Sequence, residues 1–359
     1  MSGMEGRKEA KSSIILFCLF LMIFSFGCEK EKVNNTSGED SADKSTFKIK
    51  KAAIEPLPLL EEDYLFQSSH GWLDDNTIIF SASSESGYYL YTYDVLLKQK
   101  KVIYQTNKII AEASISPNGH YILLYTFDDD EQAFIHILTA KGEEQYTMSI
   151  PSREIAYSWD QNSETKLVLN TFYEDWTYRT YILDFKKEKL DEIELSQPFA
   201  KWYTEQEFVY IQLDEDGTEL AGTLIKENAQ NNSKQTILEN VLAFDSSKDV
   251  MFASRIRDEN LLEYVFLNEG EEINHFDVKW SLEEIIGMIP DYALNVQVTA
   301  FYTFVPNGQR AQLIMYNYET DEQQVIMDDM EMAPIAVSPN GKKLLYGFSL
   351  ENLIELSTE

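Results

Sequence analysis

One hairpin that keeps returning constrains this chain more than any other feature. Ile115-Ser116-Pro117-Asn118-Gly119, followed by the apolar run 121–125, comes back as Val337-Ser338-Pro339-Asn340-Gly341, followed by Leu344-Leu345-Tyr346. A looser form, residues 72–80, recurs at 202–210. Each reads as a strand, a turn with Pro, Asn, Gly or Asp at its tip, and a second strand. Second strands of successive units can be marked at Phe80, Leu124, Leu169, Tyr210, Phe252, Phe301 and Leu345, at intervals of 41 to 49 residues. A third alternating segment follows each of the first six markers, at 89–93, 134–137, 178–183, 220–225, 263–267 and 312–318, and a polar turn then leads to a fourth. Four antiparallel strands every forty-odd residues predict the blades of an all-β propeller, each burying its faces against its neighbours. The markers count seven units, against six if one irregular blade near 280–290 has been split in two. The last has room for only three strands before Glu359, so residues 47–60 are expected to supply the fourth and close the ring without a long free edge. A two-domain β-sandwich is the competing arrangement.

The N-terminus carries an address. Arg7, Lys8 and Lys11 precede an almost wholly apolar run, residues 14–26, which ends at Gly27-Cys28 and the charged 29–32. A basic start, a short apolar core and a small residue before the cut describe a secretory signal. The run falls short of the roughly 20 apolar residues that a membrane-spanning helix needs. Cys28 resembles the lipidated cysteine of a bacterial lipobox, with Gly27 at the small position, although Ser25 and Phe26 depart from the usual pattern. Stable anchoring takes two acyl chains, because one is marginal. The expected organisation is a signal peptide over 1–27, a lipidated Cys28 with a polar, flexible tether over 28–46, and a propeller over 47–359. Cys18 falls within the signal, so processing leaves no thiol for a disulfide or a thiolate metal site.

The Ser-Pro-Asn-Gly hairpins are similar to those of TolB-type propellers. The succession of lipobox, polar linker, Gly71-Trp72-Leu73-Asp74-Asp75 and Ser116-Pro117-Asn118-Gly119 resembles the YqgU-like lipoproteins of Gram-positive bacteria. The resemblance spans most of the chain beyond the signal and implies a six-bladed propeller on the outer face of the cell membrane. Its motifs are turn motifs and imply no activity.

Charge excludes some partners. Of 30 basic and 61 acidic residues, Met1 to Gly27 hold three and two, which leaves 27 against 59 beyond the cut, a net −32. Such a field repels phosphate backbones, and no basic stripe offsets it, so neither nucleic acid nor direct docking on anionic headgroups is expected. The four histidines, His70, His120, His136 and His275, lie far apart without metal-ligand spacing. His136 reads as a packed mid-strand residue. The stretch 213–219 has oxygen ligands around Gly217 but only about half of a calcium loop. There is no G-x-S-x-G elbow and no phosphate-cradling loop. No cofactor or metal is expected. Trp72, Trp159 and Trp202 occupy similar slots at the end of a first strand, where repetition favours packing between units.

A non-catalytic binding or scaffold lipoprotein is therefore the expectation, held on the extracytoplasmic face with a protein or cell-envelope partner. The alternative is a propeller hydrolase or lyase acting on envelope polysaccharide. Loops between second and third strands of every unit open on one face, and they carry the candidate residues: Asp128, Asp129 and Asp130; Glu174, Asp175 and Trp176; Asp214 and Asp216. Turns between third and fourth strands instead carry lysines, among them Lys98, Lys100, Lys186, Lys187 and Lys189.

Overall fold

A computed structural model describes residues 53–57, 64–128, 132–150, 152, 154–175, 177–213, 220–280 and 290–356. Every element among them is a strand. β1 (Ile54–Pro56) precedes the first full unit, β2 (Leu65–Trp72), β3 (Thr77–Ser84), β4 (Gly87–Asp94) and β5 (Gln99–Thr106). The second unit is β6 (Ile109–Ile115), β7 (Tyr121–Phe127), β8 (Ala133–Thr139) and β9 (Glu144–Ile150). The third is β10 (Glu154–Trp159), β11 (Lys166–Phe172), β12 (Tyr178–Asp184) and β13 (Lys189–Ile193). Next come β14 (Lys201–Trp202), β15 (Glu207–Gln212), β16 (Gly222–Asn228) and the 14-residue β17 (Lys234–Ser247), then β18 (Val250–Asp258), β19 (Leu261–Asn268) and β20 (Glu271–Lys279). The sixth unit is β21 (Tyr292–Asn295), β22 (Ala300–Asn307), β23 (Arg310–Asn317) and β24 (Glu322–Met330). The last comprises β25 (Ile335–Val337), β26 (Lys343–Tyr346) and β27 (Asn352–Glu355).

All seven markers lie in second strands, yet the strands make six sheets, because the fourth and fifth units share β17 in one seven-stranded sheet. Its first half pairs with β16 and its second half with β18, with a register break on either side of Val241. Asn240 sits at that junction with φ 60°. Asparagine tolerates the left-handed region better than most residues, so the chain bends there and passes from one unit's outermost strand into the next unit's innermost without a loop. Residues 281–289, where one irregular blade was expected, lie outside the described residues; the two units that share a sheet are the fourth and fifth.

β1 pairs with β27, Ile54 opposite Ile354 and Pro56 opposite Asn352, and Leu57 N–H donates to the Glu351 carbonyl at 2.8 Å. The N-terminal segment thus supplies the missing strand of the last sheet, as counting strands in the sequence requires.

The hairpin repeat has one geometry. Ser116 Oγ accepts from Tyr121 N–H at 3.0 Å, and Gly119 N–H returns to the Ser116 carbonyl at 2.8 Å. Ser338 does the same for Lys343 and Gly341, at 3.0 and 2.8 Å. Gly119 and Gly341 have φ 73° and 69°, and a Cβ on Gly119 would lie 2.6 Å from the Leu73 carbonyl of the preceding unit. Only glycine meets both demands.

Burial falls outward from the second strand of each sheet. Second strands such as β3, β7 and β22 are buried on both faces, because a neighbouring unit covers each side, whereas outer strands such as β5 and β13 are largely exposed. Apolar clusters form between units: Trp72, Tyr91, Leu345 and Leu353 join last to first, Leu123, Trp159 and Leu183 join second to third, and Phe252, Phe266, Phe301 and Tyr316 join fifth to sixth. At about 25 cal/mol per Å² of apolar area, this inter-unit burial is the main stabilising term.

Candidate functional site

Strand direction sorts every connection onto one of two ends. Within a unit, the turn after the first strand and the turn after the third lie together, tied by backbone bonds: Val95 N–H to Asn76 O, Ala140 N–H to His120 O, Phe185 N–H to Thr165 O, Tyr318 N–H to Thr299 O and Leu356 N–H to Lys342 O. This is the turn end. Loops between second and third strands, and the starts of the first strands, form the opposite, loop end.

The predicted acidic residues belong to the loop end. Asp128 accepts from Gln132 N–H at 2.9 Å and from Lys108 Nζ at 3.4 Å. Asp175 Oδ1 accepts from Thr177 N–H at 3.1 Å and from its hydroxyl at 2.6 Å, which holds the Asp175 carboxyl below its ordinary range. Asp258 accepts from Asn260 N–H at 2.9 Å. Each of these carboxylates first secures its own turn, while Glu174 stands exposed. Asp129, Asp130, Trp176, Asp214, Asp216 and Cys28 lie outside the described residues. The loop end also exposes large apolar side chains: Leu65 and Ile109 open β2 and β6, Phe199 lies two residues ahead of β14 and stacks on Phe172 at 5.0 Å, and Phe348 sits in the loop after β26.

First strands of adjacent units touch one another, β2 with β6 and β25, β10 with β14, and β21 with β17 and β25, and ring closure brings together polar groups that are remote in sequence. Tyr157 donates to Glu112 at 2.8 Å, and burial, then the Glu112 charge, hold its phenol well above the ordinary value. Lys201 pairs with Asp245 at 2.5 Å. Beside them, burial and then Asp245 and Asp291 raise the Tyr292 phenol. Asp291 Oδ2 accepts from Ile335 N–H at 2.6 Å, linking the sixth unit to the last, and burial pushes its carboxyl up to about 6. Sequence reading missed these groups because single residues on short strands carry no local signal of convergence.

The raised Asp291 carboxyl makes a testable stability term. The folded protein holds this proton more tightly than the unfolded chain does, so stability falls as pH rises from about 3.8 towards 6. Asp291→Asn keeps an acceptor for Ile335 and removes the titration. Unfolding by denaturant from pH 4 to 7 is expected to show the variant gaining on the wild type by on the order of 2 kcal/mol. A pH-independent difference contradicts the assignment.

The other sequence candidates settle into packing or pairing. Trp72 and Trp159 are buried and donate to the preceding unit, to Ala336 O at 2.9 Å and Ser114 Oγ at 3.1 Å. Trp202 is equally buried, but its Nε1 has no acceptor among the described residues. His136 is enclosed by Thr126, Glu144 and Thr147, and burial lowers its pKa. His70 bonds Ser81 Oγ at 2.9 Å, and burial takes it down to about 4, so its ring is neutral near pH 7. His120 and His275 pair with Glu164 and Glu272. Among the described residues no group of three or more His, Cys, Asp or Glu is placed to hold a metal ion. A cleft of about 310 Å³, open to solvent, lies at the turn end between Tyr203, Ile237, Lys248 and Glu269.

Sheets of four antiparallel strands closed by the N-terminal strand define a β-propeller. The chain belongs to the YqgU-like six-bladed β-propeller domain family, whose model matches residues 94–347. It is 27% identical over 349 residues to the "uncharacterized lipoprotein YqgU" of Bacillus subtilis, covering 96% of this chain and 95% of that one. The crystal structure of an uncharacterized Listeria monocytogenes protein superposes with a TM-score of 0.75 at 20% identity, over 83% of this chain and 94% of the other. Oligogalacturonate lyase of Vibrio parahaemolyticus shares the fold at a TM-score of 0.54 and 12% identity, over 87% and 98% of the two chains.

Proposed function

We propose that this protein is a lipid-anchored, extracytoplasmic and non-catalytic binding module that presents its loop end to a protein or cell-envelope partner. The observation that carries the reading is the direction of β1. Its N-terminal residue, Ile54, pairs with Ile354 near the turn end, and its C-terminal residue, Pro56, pairs with Asn352 towards the loop end. β1 therefore starts at the turn end, which supports a reading in which the acidic and apolar loop end faces away from the membrane. The printed name of the Bacillus subtilis relative, a lipoprotein, supports the anchor. The alternative, a lyase or hydrolase on envelope polysaccharide, draws only on a fold likeness to oligogalacturonate lyase, and folds host many unrelated activities.

Two measurements test the proposal. Cys28→Ser is expected to abolish fatty-acid labelling and leave the precursor uncleaved or shed the protein; a variant as fully processed and firmly attached as the wild type overturns the anchor. For the binding face, Asp128→Asn, Glu174→Gln and Asp175→Asn retain the turn acceptors, and Leu65→Ser and Phe199→Ser remove apolar contacts. Together they are expected to lower crosslinked partner yield in intact cells several-fold. A control set at the turn end, Glu271→Gln, Glu272→Gln and Glu319→Gln, leaves the yield unchanged. The charge contribution shrinks as salt shortens the Debye length to roughly 8 Å near physiological strength. Equal loss from both sets means that the loop end is ordinary surface.

A further inference from the structure

The turn end has its own asymmetry. Leu96 and Leu97, in the turn from β4 to β5, are 59% and 65% exposed, and among the described residues they are the only two consecutive large apolar side chains that are both exposed. The turn is rigidly held, because Asp94 Oδ1 accepts from Leu96 N–H at 2.9 Å and Leu97 N–H at 2.8 Å. Lys98, Lys100 and Lys101 follow directly, so residues 94–101 carry three positive charges against the single Asp94. Lys98 and Lys101 form no ion pair among the described residues. The neighbouring carboxylates are engaged elsewhere: exposed Asp74 accepts from Asn76 and Thr77 N–H of its own turn, Asp75 from Asn340 N–H, and Glu144 from Tyr104 and His136. On the far side of the ring, the matching turn of the fifth unit holds Glu269, Glu271 and Glu272, and that of the sixth unit, two places from the first, holds Glu319, Asp321 and Glu322. One sector of the turn end is apolar and basic, and the opposite sector is acidic.

The apolar and basic sector adjoins the point of attachment. The last sheet, which contains β1, packs against the first unit through Trp72, Tyr91, Leu345 and Leu353. At roughly 3.3–3.6 Å per residue, the segment between Cys28 and Ile54 holds Ile54 within about 90 Å of an acyl chain on Cys28. Its last residues, Lys48, Lys50 and Lys51, add positive charge. Leucines at a hairpin tip flanked by lysines match the headgroup–acyl boundary of an anionic bilayer, where apolar tips insert and lysines face phosphate.

We infer that the turn Leu96-Leu97, with Lys98 and Lys101, seats on the anionic surface of the membrane that anchors the chain and tilts the propeller towards its first unit. The inference rests on lipidation at Cys28. A chain of net −32 does not bind anionic lipid from solution, which agrees with the charge argument from sequence. Tethering raises the local concentration enough for one small basic sector to act, while the acidic sector opposite keeps the contact one-sided.

The test uses the full-length protein, purified from membranes and returned to vesicles of phosphatidylcholine with or without phosphatidylglycerol. With Cys18 removed in the signal and Cys28 acylated, Leu97→Cys provides one site for an environment-sensitive dye, and Glu85→Cys provides a control at the loop end. Spin-labelled lipid is expected to quench the dye at position 97 several-fold more than at 85 in phosphatidylglycerol vesicles. Lys98→Gln with Lys101→Gln, or pure phosphatidylcholine, should remove the difference. Protein that floats with the vesicles but is quenched equally at both positions overturns the inference and leaves the anchor intact. Quenching at 97 that ignores both lipid charge and the lysines also overturns it. Protein that fails to float, with Cys28 itself taking the dye, overturns the anchor and this inference with it.

Discussion

Deleting residues 47–57 is expected to lower the thermal midpoint by on the order of 5–10 °C and to promote association, whereas deleting 29–45 leaves it nearly unchanged. β1 itself is exposed on every residue, so its contribution comes from backbone pairing with β27, the Leu57–Glu351 bond and the packing of Leu57 against the cluster that joins last unit to first. At about 0.5–1.5 kcal/mol per net hydrogen bond, with one partly buried leucine added, the strand stabilises the ring by roughly 3–5 kcal/mol. Its removal also bares the edge of β27, a template for pairing with another copy. Differential scanning calorimetry and sedimentation of both deletions decide the matter. Equal tolerance of the two would mean that the ring closes without β1.

Trp159→Ala is expected to cost about 3–5 kcal/mol, the usual range for emptying a large buried aromatic site. The ring fills the boundary between second and third units, among Leu123, Ile137, Leu167 and Phe185. Substitution by phenylalanine separates packing from polarity. Trp159→Phe keeps most of the ring but loses the bond to Ser114 Oγ, whereas Trp202→Phe deletes a buried donor that has no acceptor among the described residues. An unmade buried hydrogen bond is itself destabilising, so Trp202→Phe should be milder than Trp159→Phe by about 1 kcal/mol in urea unfolding. The reverse order would mean that Trp202 Nε1 has a partner.

Local chemistry by itself settled much of this protein. The 41-to-49-residue recurrence comes from turn residues and alternating strands, both short-range properties, so the second strand of every unit was legible at its marker. The Ser-Pro-Asn-Gly hairpins were legible because serine, proline and a glycine at positive φ act within five residues of one another. Packing of Trp72, Trp159 and Trp202 followed from their repeated slot. The need for an N-terminal strand followed from counting three strands where a sheet needs four.

Tertiary structure decided what depends on ring closure. Sharing of β17 turns on a left-handed Asn240, and no turn signal distinguishes it from an ordinary polar residue between strands. Glu112 meets Tyr157, Lys201 meets Asp245 and Asp291 reaches Ile335 because first strands converge, each pair 44 or 45 residues apart in sequence. The carboxylates at 128 and 175 read in sequence as members of one candidate face, yet each spends an oxygen on its own turn, a use visible only in the hydrogen bonds. The end of the propeller at which β1 starts was equally hidden in the sequence. It follows from the antiparallel register of three residues, Ile54 to Pro56 against β27, because strand direction acquires a meaning for the whole molecule only once the ring is closed.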